Sequence, residues 1–441
     1  METAEVIIAK FGGSSLADAD QFRKVRAIVL DDPGRRYVVA SAPGKRGEGG
    51  KKVTDMLYAC QRMAASGEPF GQLFGEIAGR YTGIAGELGL RGDIRGELEG
   101  IRNALDAGCD PDYAASRGEY LSGLMLAEYL GYPFVDAARG ILFTDKGSPD
   151  FEGTQAALSA LLAEYPRAVI PGFYGATPGG RVRTFSRGGS DITGAIVARA
   201  ARASLYENWT DVPGCLMADP RIVDSPQVID EVTYRELREL SYMGATVLHE
   251  DAIFPVRKAN ITTVIRNTNA PGQPGTRISH IPSGAARERV ITGIAGRKDF
   301  AVISIEKAMM NAELGFGRRV LQALEEQEIS FEHLPTGIDT MCVVCNERLL
   351  DGKRERLVHR IYELTDPDSV EVHSQMALIA TVGRGMVHAR GTSARLFDAL
   401  RRAGVNVRMI DQGSSEINII VGVNNADFER AVRAIYAAFV D

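Results

Sequence analysis

Short apolar runs and helix-period stripes alternate along the chain up to about residue 295. Val6 to Ala9 is an uninterrupted apolar run, rich in β-branched residues, of the kind found in a strand covered on both faces. Tyr37 to Ser41, Phe134 to Asp136, Ala168 to Ile170, Ser204 to Asn208 and Ile261 to Arg266 also read as strands. Between them lie helical patterns, including one from about Ala17 with Phe22, Val25 and Val29 on one stripe, Val53 to Ala64, and Ser116 to Tyr129. Strand–helix alternation of this kind predicts an α/β fold: an open, mostly parallel sheet with helices on both faces. Ligands of such folds sit beyond the carboxyl ends of the strands.

Beyond about residue 296 the rhythm changes. Phe300 to Glu306, Met341 to Cys345, Met376 to Val382, Val405 to Ile410 and Ile417 to Val421 read as strands. Gly317 to Glu328, Ser393 to Ala403 and a stretch from about Asp427 read as helices. A β-α-β unit with a glycine turn before its helix therefore occurs twice, as an internal repeat. The predicted domains are 1–295, 296–372 and 373–441.

Composition narrows the function classes. Apolar residues make up 45% and charged residues 24% of 441 residues, as in ordinary globular proteins. The net charge of −6 argues against a nucleic-acid or anionic-membrane partner. No apolar run approaches the roughly 18 residues of a membrane span, and the acidic Met-Glu-Thr-Ala-Glu start reads as no targeting segment. The odd set Cys60, Cys109, Cys215, Cys342 and Cys345 is no disulfide framework. Cys342 and Cys345, three apart on a predicted strand, face opposite ways and make a poor metal or redox pair. A cytoplasmic location follows as the expectation.

Candidate chemistry gathers at strand ends. The first strand runs into Lys10-Phe11-Gly12-Gly13-Ser14-Ser15 ahead of a helix. Two glycines and a helix N-terminus can cradle a phosphate, and Lys10 adds a positive charge; the same sequence also makes a plain tight turn. Ser41 to Lys52 is a basic, glycine-rich loop, either solvated surface or a flap over substrate with Ser41 and Thr54 at its roots. Ser116 with Glu119 matches a capping box, a role that leaves the carboxylate within reach of an ammonium. Pro171-Gly172-Phe173 faces Arg187-Gly188-Gly189-Ser190-Asp191, where Arg187 offers a bidentate fork and Ser190 and Asp191 cap a helix. The two Gly-Gly turns look like two halves of a phosphoryl-transfer site. Asn208-Trp209-Thr210-Asp211-Val212-Pro213-Gly214 then leads to Met217-Ala218-Asp219-Pro220-Arg221, a strand end and turn suited to a nucleotide.

These motifs, with Gly244-Ala245-Thr246-Val247-Leu248-His249, occur in an order that resembles the aspartate kinases over essentially the whole chain. The resemblance implies the amino-acid kinase fold followed by two ferredoxin-like ACT domains, one of which interrupts the other in that family. It implies phosphorylation of L-aspartate to 4-phospho-L-aspartate with ATP and a divalent metal, normally Mg²⁺, at the start of the pathway to lysine, threonine and methionine. By resemblance Lys10 binds the transferring phosphoryl group beside the Gly12 and Gly13 N–H groups, and Asp191 orients Lys10 or the metal. Arg187 holds the substrate α-carboxylate and Glu119 its α-ammonium, with Ser41, Thr54, Phe173 and Ser190 lining the pocket. Thr210, Asp211, Leu216, Arg221 and Thr246 take the nucleotide. Leu216 stands where many members carry an aromatic residue and Thr246 where they carry a lysine, so the adenine site reads as less polar.

The acceptor carboxylate, with an ordinary pKa near 3.9, is already ionised at neutral pH, so no general base is needed. Charge neutralisation and alignment remain for the site to supply. In the repeat region Met310, Gly315 and Phe316 precede a helix, and Glu313, Glu332 and Asp339 form an acidic surround. By resemblance Met310, Gly315, Phe316 and Glu332 match the lysine pocket of lysine-sensitive members, although Gly337 stands where some carry serine. L-Lysine is thus the expected feedback effector ahead of threonine, at a homodimer interface built by the ACT units, with a tetramer as the larger alternative. Two other readings compete: an acetylglutamate- or glutamate-type kinase, and an amino-acid sensor without catalysis.

Overall fold

A computed structural model describes residues 5–47, 49–186, 188–245, 248, 250–281 and 289–440. The chain forms two compact units: Met1–Cys215 with Val228–Tyr234 and Val247–Pro282, and Leu216–Gln227 with Arg235–Thr246 and Ser283–Asp441.

The first unit is built on β1 (Ile7–Phe11), β2 (Arg35–Ala40), β3 (Ala168–Pro171), β4 (Tyr174–Ala176), β5 (Val182–Thr184), β6 (Leu205–Thr210), β7 (Glu231–Thr233), β8 (Thr262–Asn267) and β9 (Thr276–Ser279). Its seven-stranded sheet runs β3-β2-β1-β6-β8-β9-β7. All neighbours are parallel except β8 with β9, and β4 and β5 pair separately as a hairpin. The predicted mostly parallel sheet is present, with β1 near its centre.

Strand β1 is buried on both faces, which is why its sequence is a run rather than an alternation. Ala9 and Phe11 join a core with helices 19–31, 53–65, 71–88, 94–106 and 111–130. Since side chains alternate along a strand, Ile8 and Lys10 face the opposite side, where helix Gly189–Ala200 packs. The buried Arg35 guanidinium meets Glu207 at 2.7 Å and also lies over the Trp209 ring, which stacks on Phe11. That cluster locks β1, β2 and β6 together beneath their carboxyl ends.

Two local expectations are corrected. Phe134–Asp136 is no strand: Phe134 makes a single bridge to Val169, and Asp136 caps a short 3-10 turn at Ala137–Arg139. The helix expected from Ser116 begins at Pro111, because Asp110 accepts from the Asp112 N–H and Pro111 occupies the first turn. Ser116 and Glu119 are therefore interior residues, and no capping box forms. Ser116 Oγ bonds the Tyr113 carbonyl instead.

The second unit holds one five-stranded antiparallel sheet, in the order β11-β10-β12-β14-β13. Its strands are β10 (Gly293–Glu306), β11 (Thr340–Asn346), β12 (Ser369–Val382), β13 (Met409–Asp411) and β14 (Asn418–Asn424). β10 and β12 are longer than the pattern suggested, each running through an irregularity where Asp299 and Gln375 take positive φ. Helix Arg354–Thr365 was not anticipated. Helices Phe316–Glu326, Thr392–Arg402 and Phe428–Val440 follow the apolar stripes.

Candidate active site

Three turns meet at the carboxyl ends of β1, β2 and β3. Gly13 and Gly44 cross backbone to backbone, with the Gly44 N–H donating to the Gly13 carbonyl at 2.7 Å. A Cβ at Gly13 would lie 2.8 Å from the Ala42 carbonyl oxygen, so the first Gly-Gly turn exists to admit the loop after β2. The Gly12 N–H, expected beside the phosphoryl group, donates instead to the Trp209 carbonyl at 2.9 Å. The Gly13 N–H has no hydrogen-bond partner among the described residues and stays available.

The second Gly-Gly turn is pressed against the turn after β3. A Cβ at Gly189 would lie 2.4 Å from the Phe173 ring, and one at Gly172 would lie 2.6 Å from Ser190 Oγ. Phe173 takes φ of 78° and is held there by Thr193, whose hydroxyl accepts the Phe173 N–H at 3.0 Å. Gly188 caps helix Gly189–Ala200 in a left-handed conformation with no side-chain cap. Asp191 was expected to cap this helix and does not. Its Oδ1 lies 2.5 Å from Lys10 Nζ and accepts from Asn208 Nδ2 at 2.9 Å. Arg187 lies outside the described residues.

Glu119 is 5% exposed, and one of its oxygens has no hydrogen-bond partner among the described residues. Burial pushes its carboxyl up to about 8, against the stabilising Ala42 N–H and the Arg117 charge. The neighbouring guanidinium does not pair with it. Arg117 lies 4.5 Å from the ring centres of Tyr113 and Tyr120 and bonds Ser116 Oγ. Ser41 is buried at the end of β2, and Thr54 sits in the first turn of helix Val53–Ala65.

The basic loop is tied down. Arg80 donates to the Gly44 carbonyl at 2.6 Å and the Lys51 carbonyl at 3.1 Å, and Arg46 donates to the Ala17 carbonyl at 3.0 Å. Arg80 and Asn208 are the two contributors that sequence reasoning missed. Thr210 and Asp211 close β6, with the Thr210 hydroxyl on Asp211 Oδ1 at 3.1 Å. Leu216 and Arg221 belong to the second unit, where Arg221 pairs with Asp219 at 2.6 Å. Thr246 lies outside the described residues.

In the second unit Met310 and Phe316 are buried in the core beneath helix Phe316–Glu326, which Gly315 opens at φ of 80°. The acidic surround is already engaged. Glu313 pairs with Lys307 at 2.9 Å and with Arg319, Asp339 accepts the Met309 N–H at 2.8 Å, and Glu332 accepts the Tyr242 hydroxyl. Gly337 donates to the Thr340 carbonyl.

The amino acid kinase family model matches residues 5–267 and an ACT domain model matches 379–439. Aspartokinase 3 of Bacillus subtilis is 40% identical over 98% of both chains. This chain belongs to the aspartokinases of the amino acid kinase family. The crystal structure of Clostridium acetobutylicum aspartate kinase, described as an allosteric enzyme, matches at 50% identity with a TM-score of 0.91, covering 98% of this chain and all of that one. Escherichia coli aspartokinase III matches in two complexes, over 99% of this chain and all of that one. With aspartate and ADP the values are 27% identity and 0.77; with lysine and aspartate, 28% and 0.73. Of the motifs, Lys10 to Ser15 and Thr210 with Asp211 fall at strand ends of the first unit, whereas Asp219 to Arg221 belongs to the second. Among the described residues no group of three or more His, Cys, Asp or Glu could hold a metal ion, and no helix is long and apolar enough to cross a membrane.

Proposed function

We propose that this aspartokinase transfers the γ-phosphoryl group of ATP to the side-chain carboxylate of L-aspartate. The observation that carries the reading is the buried Lys10 ammonium at the carboxyl end of β1, 6% exposed, held by Asp191 and 3.6 Å from where a Cβ at Gly12 would lie. The reaction brings two anions together, and Lys10 neutralises charge where they meet. Glu119 and Arg187 take the α-ammonium and α-carboxylate, and Ser41, Thr54, Phe173 and Ser190 line the pocket. The Glu119 oxygen without a donor among the described residues fits that assignment: a buried carboxyl that the chain satisfies only in part is completed by the substrate's ammonium. Thr210, Asp211, Leu216, Arg221 and Thr246 are assigned to the nucleotide.

The residues present fit Mg²⁺ as well. A kinase magnesium takes one or two carboxylates and otherwise phosphate oxygens and water. Asp191 has its second oxygen free of hydrogen bonds among the described residues. When bound, the ion would draw charge from the phosphates.

The C-terminal unit is assigned feedback control by L-lysine in a homodimer, through Met310, Gly315, Phe316, Glu332 and Asp339. The lysine complex of the Escherichia coli relative supports this. An ATP-dependent hydroxamate assay separates the readings. Turnover with L-aspartate and none with L-glutamate or N-acetylglutamate is the expected result. Turnover only with one of the latter two, or with no acceptor, overturns the assignment.

A further inference from the structure

Among the groups around Lys10, Asn208 reads in the sequence only as part of the stretch at the end of β6, with no role for its side chain, yet that side chain is bonded at both ends. It is 4% exposed, in the middle of β6, where the neighbouring sheet and helices favour apolar residues. A buried amide is costly unless both ends are bonded. Here they are. Lys10 Nζ donates to Asn208 Oδ1 at 3.2 Å, and Asn208 Nδ2 donates to Asp191 Oδ1 at 2.9 Å. Lysine can only donate and an ionised aspartate can only accept, so the amide fits in one orientation.

The backbone enforces this triangle. Lys10 and Asn208 are direct partners in the parallel β1–β6 pairing, so their side chains leave the same face. Tyr206, two residues back and on that face, donates its hydroxyl to the Asp191 carbonyl at 3.1 Å. Strand β6 therefore grips Asp191 twice, by backbone and by side chain. Gly194 makes room for this: a Cβ there would lie 2.5 Å from the Tyr206 hydroxyl.

We propose that Asn208 is a positioning residue for phosphoryl transfer, fixing the Lys10 ammonium against Asp191 so that its remaining N–H serves the phosphoryl group. Of three ammonium hydrogens, one goes to Asp191 and one to Asn208, which removes the rotation of the group. The inference rests on Lys10 being the phosphoryl-binding cation. No apolar residue holds either partner, and a carboxylate at 208 could hold Lys10 only while repelling Asp191.

The test compares Asn208→Leu, Asn208→Asp, Lys10→Met and the Lys10→Met/Asn208→Leu double variant in the aspartate hydroxamate assay, with melting temperatures alongside. Asn208→Leu and Asn208→Asp should each lower kcat by 10- to 100-fold while the KM for aspartate stays within threefold. In the Lys10→Met background Asn208→Leu should cost nothing further, because the group it positions is gone. A purely structural asparagine would cost the same factor in both backgrounds, and that result overturns the proposal. So does wild-type kcat in the near-isosteric Asn208→Asp, which covers the case in which Asn208→Leu fails to fold. Full activity of Lys10→Met would instead overturn the underlying assignment of Lys10.

Discussion

Glu119 and Arg117 stand two residues apart on one buried helix and do not pair. Arg117 is spread over tyrosine rings, while one Glu119 oxygen meets no donor. Among the described residues, the charged groups and phenols facing Glu119 are Arg117, Tyr58 and Tyr81. Burial keeps its carboxyl protonated up to about pH 8. Only the ionised form pairs with an α-ammonium. The kcat/KM for aspartate should therefore rise nearly tenfold per pH unit from pH 6 to 7.5 and level off above 8. Glu119→Gln should lower that constant and flatten its slope.

The same group predicts a stability trend. Its folded pKa lies above the ordinary carboxylate value, so its stabilising contribution is complete below about pH 4.5 and is lost as pH climbs through about 8. Glu119→Gln should thus compare more favourably with wild type at pH 8.5 than at pH 5 in thermal melts. The reverse order would contradict the assigned shift.

The contact between Gly189 and Phe173 has no slack. Alanine at 189 would sit 3.0 Å from the Phe173 Cα as well as against its ring, so the turn must move. Gly189→Ala should cost about 1–3 kcal/mol in urea unfolding. It should also raise the KM for aspartate. Gly75→Ala, where an added methyl meets nothing and the residue is helical, should instead stabilise by about 0.5–1 kcal/mol.

Much of this was legible in the sequence, for physical reasons that also mark the limits. Buried parallel strands favour apolar runs, so β1, β2 and β3 could be read directly, as could the glycine turn after β1. The helix containing Glu119 was placed too late because Ser116–Glu119 imitates a cap, while Asp110 with Pro111 supplies the real one. Asn208 was invisible: its meaning comes from standing opposite Lys10 across a strand pair, and periodicity carries no register. Arg80 reaches the basic loop from a helix whose pattern marks it only as a solvent-facing cation.

That anchor is testable. Arg80→Met removes the bonds to the Gly44 and Lys51 carbonyls while keeping much of the stem's volume. Loop closure over substrate should weaken, lowering kcat/KM for aspartate about tenfold. Unchanged kinetics would show that the loop needs no such tether.

In the C-terminal unit, the Tyr242 hydroxyl occupies the Glu332 carboxylate, and burial with that carboxylate pushes the phenol up to about 12. An arriving lysine ammonium competes with it for that carboxylate. Removing a hydrogen bond to a charged group is worth about 1.5–3 kcal/mol. Tyr242→Phe should therefore lower the lysine concentration for half-inhibition at least tenfold, measured in the aspartate assay with threonine as the control. A higher or unchanged value would remove Glu332 from the lysine site.

The two long strands bear on how the protein is made. The first part of β10, Gly293 to Arg297, pairs with Leu378 to Val382, while its later part pairs with β11 and with Ser369 to His373. β12 in turn needs β14, which ends at Asn424. No stretch of nascent chain shorter than this can close the sheet on a ribosome. From the moment residue 293 emerges, its part of β10 waits about 90 residues for Val382, and the sheet closes only about 130 residues on, several seconds or more at ordinary elongation rates. This is where the growing polypeptide most needs protection.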